Sequence, residues 1–181
     1  PGQCTDDGRV RMELQYVGPA TIDTRTADLL GDGWEPFFEI SIDQIPEDQH
    51  VLEIAVGQFE AALWRQFGEV DPENESVWLE CASATGVIAL NWPRLCDEDR
   101  DELLFEQRQT ADPERRVEVM REIQELVNAS YTYVFLAHTN WTVGFRDSVQ
   151  NVCAQTGGPD DTVLLCNSQG RSFFHNTWLD E

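Results

Sequence analysis

The 181-residue chain carries 34 acidic against 12 basic side chains, every one of the latter arginine, for a formal net charge of −22. That balance repels phosphate backbones and anionic lipid surfaces and so argues against nucleic acid or a membrane surface as partner. A 41% hydrophobic content with six Trp and nine Phe supplies a sizeable core and argues against disorder.

In chain order, Val10, Met12, Leu14 and Tyr16 alternate with polar residues in RVRMELQYV, the pattern of a half-buried strand over 9–17 ended by Gly18-Pro19. Ala27, Leu29, Leu30 and Trp34 predict a helix over 24–34, and FEISIDQI (38–45) alternates again as a second strand. Pro46 opens a helix with Glu47 and Asp48 in its first turn, Val51, Ile54 and Ala55 on one face, and Gly57 as its stop. FEAALW (59–64) is short and apolar, as a buried strand of an α/β sheet would be.

The second half reads as two helices, 97–110 with Leu103 and Leu104 on its apolar side, and 112–128 with Asp112 as cap and Pro113 at the first helical position. The expected core stripe of the latter is Val117, Met120, Ile123 and Val127. YTYVFLAH (131–138) is β-branched and aromatic and predicts a strand; beyond Val152 the tail is rich in Gly, Asp, Asn and Ser and closes on RSFFHNTW. Strands alternating with helices predict a layered α/β domain.

No export segment or cleavage site opens the sequence and no run of about eighteen apolar residues occurs, so either the protein is cytosolic or its targeting segment lies outside this sequence. The five cysteines form no C-x-x-C pair, but Cys81 with Cys96 and Cys153 with Cys166 bracket short loops; disulfides there, in an oxidising compartment, compete with a reading of buried free thiols. Cys4 would then find its partner in a part of the protein beyond this sequence. The three histidines, 50, 138 and 175, are far apart without zinc spacing, the acidic run 97–102 lacks a calcium-loop pattern, and no nucleophile signature occurs; no metal, cofactor or catalytic residue is expected. Asn74-Glu-Ser, Asn128-Ala-Ser and Asn140-Trp-Thr satisfy the glycosylation sequon, a short pattern that carries little weight outside a secretory context.

The order GQFEAALW (57–64), Asp71-Pro72, Asn91, DEDRDELL (97–104), DPERRVEVMREIQELV (112–127), YVFLAH (133–138), Val143-Gly144-Phe145 and RSFFHNTW (171–178) resembles the carboxy-terminal part of the family 5 extracellular solute-binding proteins. The resemblance implies a class II periplasmic-binding-protein-like α/β lobe, an open mixed sheet flanked by helices and truncated relative to the two-lobed protein. On it, residues 1–150 form the solute-binding lobe and 151–181 a segment returning to a missing amino-terminal lobe. It implies an extracytoplasmic protein, lipid-anchored at full length, that is not an enzyme and passes a peptide or other small solute to ABC permease subunits.

Candidate ligand contacts are Trp64, Arg65, Gln66, Phe67 and Glu69, in the loop that leaves the carboxyl end of a strand, together with His138, Asn140 and Trp141. Peptide-binding members place an aspartate between this Trp and the Asp-Pro; here none occurs, Glu69 is the nearest substitute, and Arg65 would favour an anion. The same residues read blandly as core Trp64, surface Arg65 and loop Glu69. Rival functions are a hydrolase or metal-dependent enzyme, marked by two close carboxylates or a His-rich metal site, and an acidic interaction module, marked by one exposed aromatic patch.

Overall fold

The computed structural model describes residues 4–66, 71–138, 144–150 and 177–180. Strand β1 (Val10–Val17) lies at the centre of a parallel sheet ordered β2-β1-β3. It pairs with β2 (Phe38–Ile45) over its whole length, from Val10↔Phe38 to Val17↔Ile45, and with β3 (Ala61–Ala62) only at Leu14 and Gln15. Helix α1 (Thr21–Trp34) joins β1 to β2, and α2 (Glu47–Val56) joins β2 to β3.

The period-2 pattern decides which face each helix covers. Leu14 and Tyr16 point to one side and pack with Ala27 and Leu30 of α1 and with Ile40, Ala61 and Leu63. Gln15, one residue out of phase, is buried on the other side, where its amide donates to Glu53 of α2 at 2.9 Å. The two crossover helices therefore lie on opposite faces of the sheet.

Helix α2 starts after Pro46 and stops at Gly57, whose φ of 78° is the left-handed cap that glycine adopts without steric cost. Its buried pair is His50 and Ile54, whereas Val51 is exposed, so the inward face is turned from the one the hydropathy suggests. The expected strand 59–64 also shrinks: only Ala61 and Ala62 join the ladder, both half-buried, and Leu63 adds one bond to Gln15 O at 2.8 Å. Its amino-terminal flank is diverted because the Glu60 carboxylate accepts the backbone N–H of Glu13 at 2.7 Å in place of a strand carbonyl.

The second half is helical. Helices α4 (Glu98–Gln109) and α5 (Pro113–Ala129) are capped by Asp97 and Asp112, which accept from Arg100 N and Glu114 N. Leu104, Val119, Ile123 and Val127 form their core, with Leu79, Leu103, Met120 and Tyr133 against it. Val117, expected in this stripe, is 50% exposed; Val119 takes its place, because α4 meets the face set by the i, i+4 series 119, 123, 127.

A short helix, α3 (Ser76–Leu79), follows a 3-10 turn over Pro72–Glu75 capped by Asp71. The two Asp-Pro segments are tied to each other: Arg116, one turn into α5, donates to Asp71 at 2.6 Å and to Gln107 Oε1 at 3.0 Å. The Glu73 N–H, and then Arg116, hold the Asp71 carboxyl below the usual carboxylate range.

Between α3 and α4 the chain makes a loop closed by a Cys81–Cys96 disulfide with an S–S distance of 2.07 Å. Inside it Arg94, at a positive φ of 55°, donates to the carbonyls of Ala84, Gly86 and Val87 and, at 3.2 Å, to Ala55 O at the end of α2. Ala89 N reaches the same Ala55 carbonyl at 2.9 Å, so the loop is docked on the sheet half. Reducing the disulfide is expected to cost about 3 kcal/mol, the loop-closure entropy of a bridge spanning fifteen positions. Urea unfolding with and without reductant measures it, and an unchanged midpoint would show the clip to be dispensable.

The strand expected over 131–138 does not form. Tyr131 leaves α5 at a φ of 53°, and Val134, Phe135 (72% exposed) and Leu136 run exposed with no ladder partner among the described residues. An apolar β-branched run becomes a strand only when another strand satisfies its backbone groups. Trp178 and Leu179 (β5) pair antiparallel with Val149 and Gln150 (β4), bringing the end of the chain back beside residue 150. Cys153 and Cys166 lie outside the described residues, and Cys4 is exposed, with no disulfide partner among the described residues, its backbone bridging antiparallel to Val10.

Candidate ligand-binding site

The sheet order dictates where a site can open. The chain moves from β1 outward to β2, then returns past β1 to place β3 on its other side, so its direction reverses between β1 and β3. At such a switch point the loops leaving the two strands part toward opposite faces and leave a crevice at their carboxyl ends. Gly18 and Pro19 follow β1 there, and Leu63 to Gln66 follow β3.

Trp64 is held by rings on two sides. His50 of α2 stacks on it with centroids 5.5 Å apart and planes 29° apart, and Trp92 meets it edge-on at 4.4 Å. Trp78 of α3 continues the row, 5.0 Å from Trp92. This seam of four rings joins the sheet half to the helical half. Arg65 and Gln66 are exposed immediately beyond it.

His50 is 0% exposed, with Nε2 3.2 Å from Leu63 O and Nδ1 without a hydrogen-bond partner among the described residues. Burial pushes its pKa below the ordinary histidine value, against the opposing effects of the Leu63 carbonyl and Glu53. The Trp64 Nε1 is likewise buried without a partner among the described residues. Tyr133, packed on the α4–α5 core, has its phenol pushed up to about 12 by burial.

Of the residues proposed from sequence, Trp64, Arg65 and Gln66 are consecutive at the end of β3, with Trp64 partly consumed by the seam rather than free as a platform. His138 is exposed on the irregular segment after α5, with no hydrogen bond, ion pair or ring contact among the described residues. Phe67, Glu69, Asn140 and Trp141 lie outside the described residues.

Sequence reasoning missed His50, Trp78 and Trp92. The available signal was the i, i+4 pair His50 and Ile54 on a helix preceding a strand that ends in Trp. Two open grooves, of about 530 and 540 Å3, lie on the sheet away from this place: one is lined by Arg11, Glu13, Glu39 and Glu60, the other by α1 and the edge of β2. No helix of the described residues is long and apolar enough to cross a membrane.

No protein-family profile and no curated protein sequence matches the chain. Solved structures do. The periplasmic binding protein DppA of Helicobacter pylori, in complex with the peptide STSA, superposes with a TM-score of 0.60 at 16% identity over 68% of this chain and 24% of its own. NikZ of Campylobacter jejuni, in complex with Ni(L-His), gives 0.57 at 16% identity over 72% of this chain and 27% of its own. The oligopeptide-binding protein AppA of Bacillus subtilis, with a nonapeptide, gives 0.58 at 13% identity over 71% and 26%. The chain thus spans about a quarter of the length of these structures. Over that quarter its fold is that of a part of the family 5 ABC solute-binding proteins, the group its motif order resembles.

Proposed function

We propose that the chain is one lobe of an extracytoplasmic solute receptor of an ABC importer, binding rather than transforming its ligand. On this reading residues 1–150 form the lobe and 151–181 return to a second lobe. The solute, a peptide or another small molecule, lies against Arg65 and Gln66, with Glu69, Phe67, His138, Asn140 and Trp141 as further contacts. Closure of the lobes then presents the loaded form to the permease.

The observation that carries the reading is the position of Trp64–Gln66. They stand at the carboxyl end of β3, at the switch point of the sheet, in a fold shared with peptide- and nickel-binding proteins. His50 and Trp92 fix Trp64 from behind, which positions its two exposed neighbours.

The test is mass spectrometry of small molecules retained by the natively purified full-length gene product. The Arg65→Ala, Gln66→Ala double variant should keep its far-ultraviolet circular dichroism and lose about tenfold or more in affinity for the retained solute, about 1.4 kcal/mol. Undiminished retention by that variant would place the ligand elsewhere and remove the site.

A further inference from the structure

The receptor reading leaves the three N-x-S/T triplets unexplained, although seven asparagines yield three of them. The structure separates the two that it describes. Asn74 is exposed in the 3-10 turn before α3, but its amide donates to Asp71 O. The hydroxyl of its triplet belongs to Ser76, which is 1% exposed, donates to Glu73 and accepts from Gln107. Folded, that triplet cannot present its hydroxyl.

Asn128 differs in its amide and in the burial of its triplet's hydroxyl. It is exposed in the last turn of α5, one residue before the helix ends at Ala129, and its side chain makes no hydrogen bond among the described residues. Its partner Ser130 is the half-buried C-cap, whose hydroxyl donates to Val127 O at 2.7 Å and accepts from Thr132 N at 3.3 Å. These bonds are local to the helix end, unlike those that tie Ser76 to another helix; Tyr131, exposed at a φ of 53°, turns the chain off the helix. A terminal helical turn followed by irregular backbone opens at little cost, so Asn-Ala-Ser can extend into an enzyme's groove while the rest of α5 stays packed. The Cys81–Cys96 bridge independently fits a chain that matures in an oxidising, secretory compartment, where such modification takes place.

We propose that Asn128 is an N-glycan acceptor and Asn74 is not; the inference rests on the extracytoplasmic reading above. In the step, the Asn128 amide nitrogen attacks the anomeric carbon of a saccharide carried on a lipid phosphate. The bond from that carbon to phosphate oxygen breaks, the lipid phosphate leaves with the electron pair, and one amide proton is lost to a base. The glycan would mark the end of α5 as a face that stays open to solvent in the assembled receptor.

The test uses protein isolated from its source cells, digested without reduction and read by electron-transfer fragmentation, with cell fractionation alongside. The expected result is a hexose-containing mass on Asn128, an unmodified Asn74, and loss of that mass in Asn128→Gln and Ser130→Ala but not in Asn74→Gln. An extracytoplasmic protein with an intact Cys81–Cys96 bridge and a bare Asn128 would overturn the glycan alone. A cytosolic protein with free thiols at both cysteines would overturn the glycan and the location together.

Discussion

Replacing Asn91 with Leu and Arg100 with Met together is expected to destabilise the chain by about 5 kcal/mol, more than the two single changes sum to. Both side chains are buried and aim at the same carbonyls. Asn91 Nδ2 donates to Leu79 O, Glu80 O and Leu95 O at 3.0, 3.2 and 2.9 Å. Arg100 Nη2 donates to Leu79 O at 2.6 Å and Leu95 O at 2.8 Å. Each residue therefore covers for the other at two acceptors, and either single change should cost only about 2 kcal/mol. Removing both orphans the Leu79 and Leu95 carbonyls at once, Glu80 O keeping the Ser83 N–H at 3.2 Å, while Leu and Met keep most of the volume filled. A double-mutant cycle by urea unfolding measures the coupling, and additivity within about 0.5 kcal/mol would show that the carbonyls find other donors.

Truncating His50 to Ala should cost about 4 kcal/mol, in the range for removing a buried ring. The ring is fully buried, braces Trp64 by stacking and shares a hydrogen bond with the Leu63 carbonyl, so its loss leaves both a cavity and an orphaned acceptor. The same residue makes stability pH-dependent. Because burial lowers its pKa in the fold, the unfolded chain takes up the proton first. Its contribution is complete above the unfolded value of about 6.5 and is lost as pH falls through it toward the folded pKa, at up to about 1.4 kcal/mol per pH unit. His50→Phe, which keeps the ring and cannot titrate, should flatten the thermal midpoint between about pH 7 and pH 5. A wild-type profile already as flat as the variant's would mean that the imidazole is not responsible.

What could be read from the sequence is what short-range chemistry fixes. The alternation of FEISIDQI matches β2 to the residue, and Asp97, Asp112 and Gly57 mark helix ends because a carboxylate or a missing Cβ acts within a few positions. The failures all depend on a partner distant in sequence. Val117 and Val119 both fit a helical stripe that includes Ile123 and Val127, and only the approach of α4 selects between them. YTYVFLAH has the composition of a strand and no strand beside it among the described residues. At the site, Trp64 was legible from the position of its strand end, but the ring beneath it was not. A histidine is polar by composition, and it becomes core only because Ile54, Leu63 and Trp64 enclose it.

Among the described residues strand β2 ends the sheet, so the outer backbone groups of an eight-residue strand have no neighbour in it. Such a margin is a template on which a second molecule can lay down a strand and seed a fibril. Asp43 and Glu39, the latter ion-paired to Arg11 of β1 at 3.1 Å, place carboxylates along it, and any approaching copy brings the same charge of −22, so like-charge repulsion guards the margin. Concentrated salt shortens the reach of that repulsion to about 3 Å at 1 M, leaving the two carboxylates themselves, and the cost of desolvating them, as the remaining barrier to polymer growth.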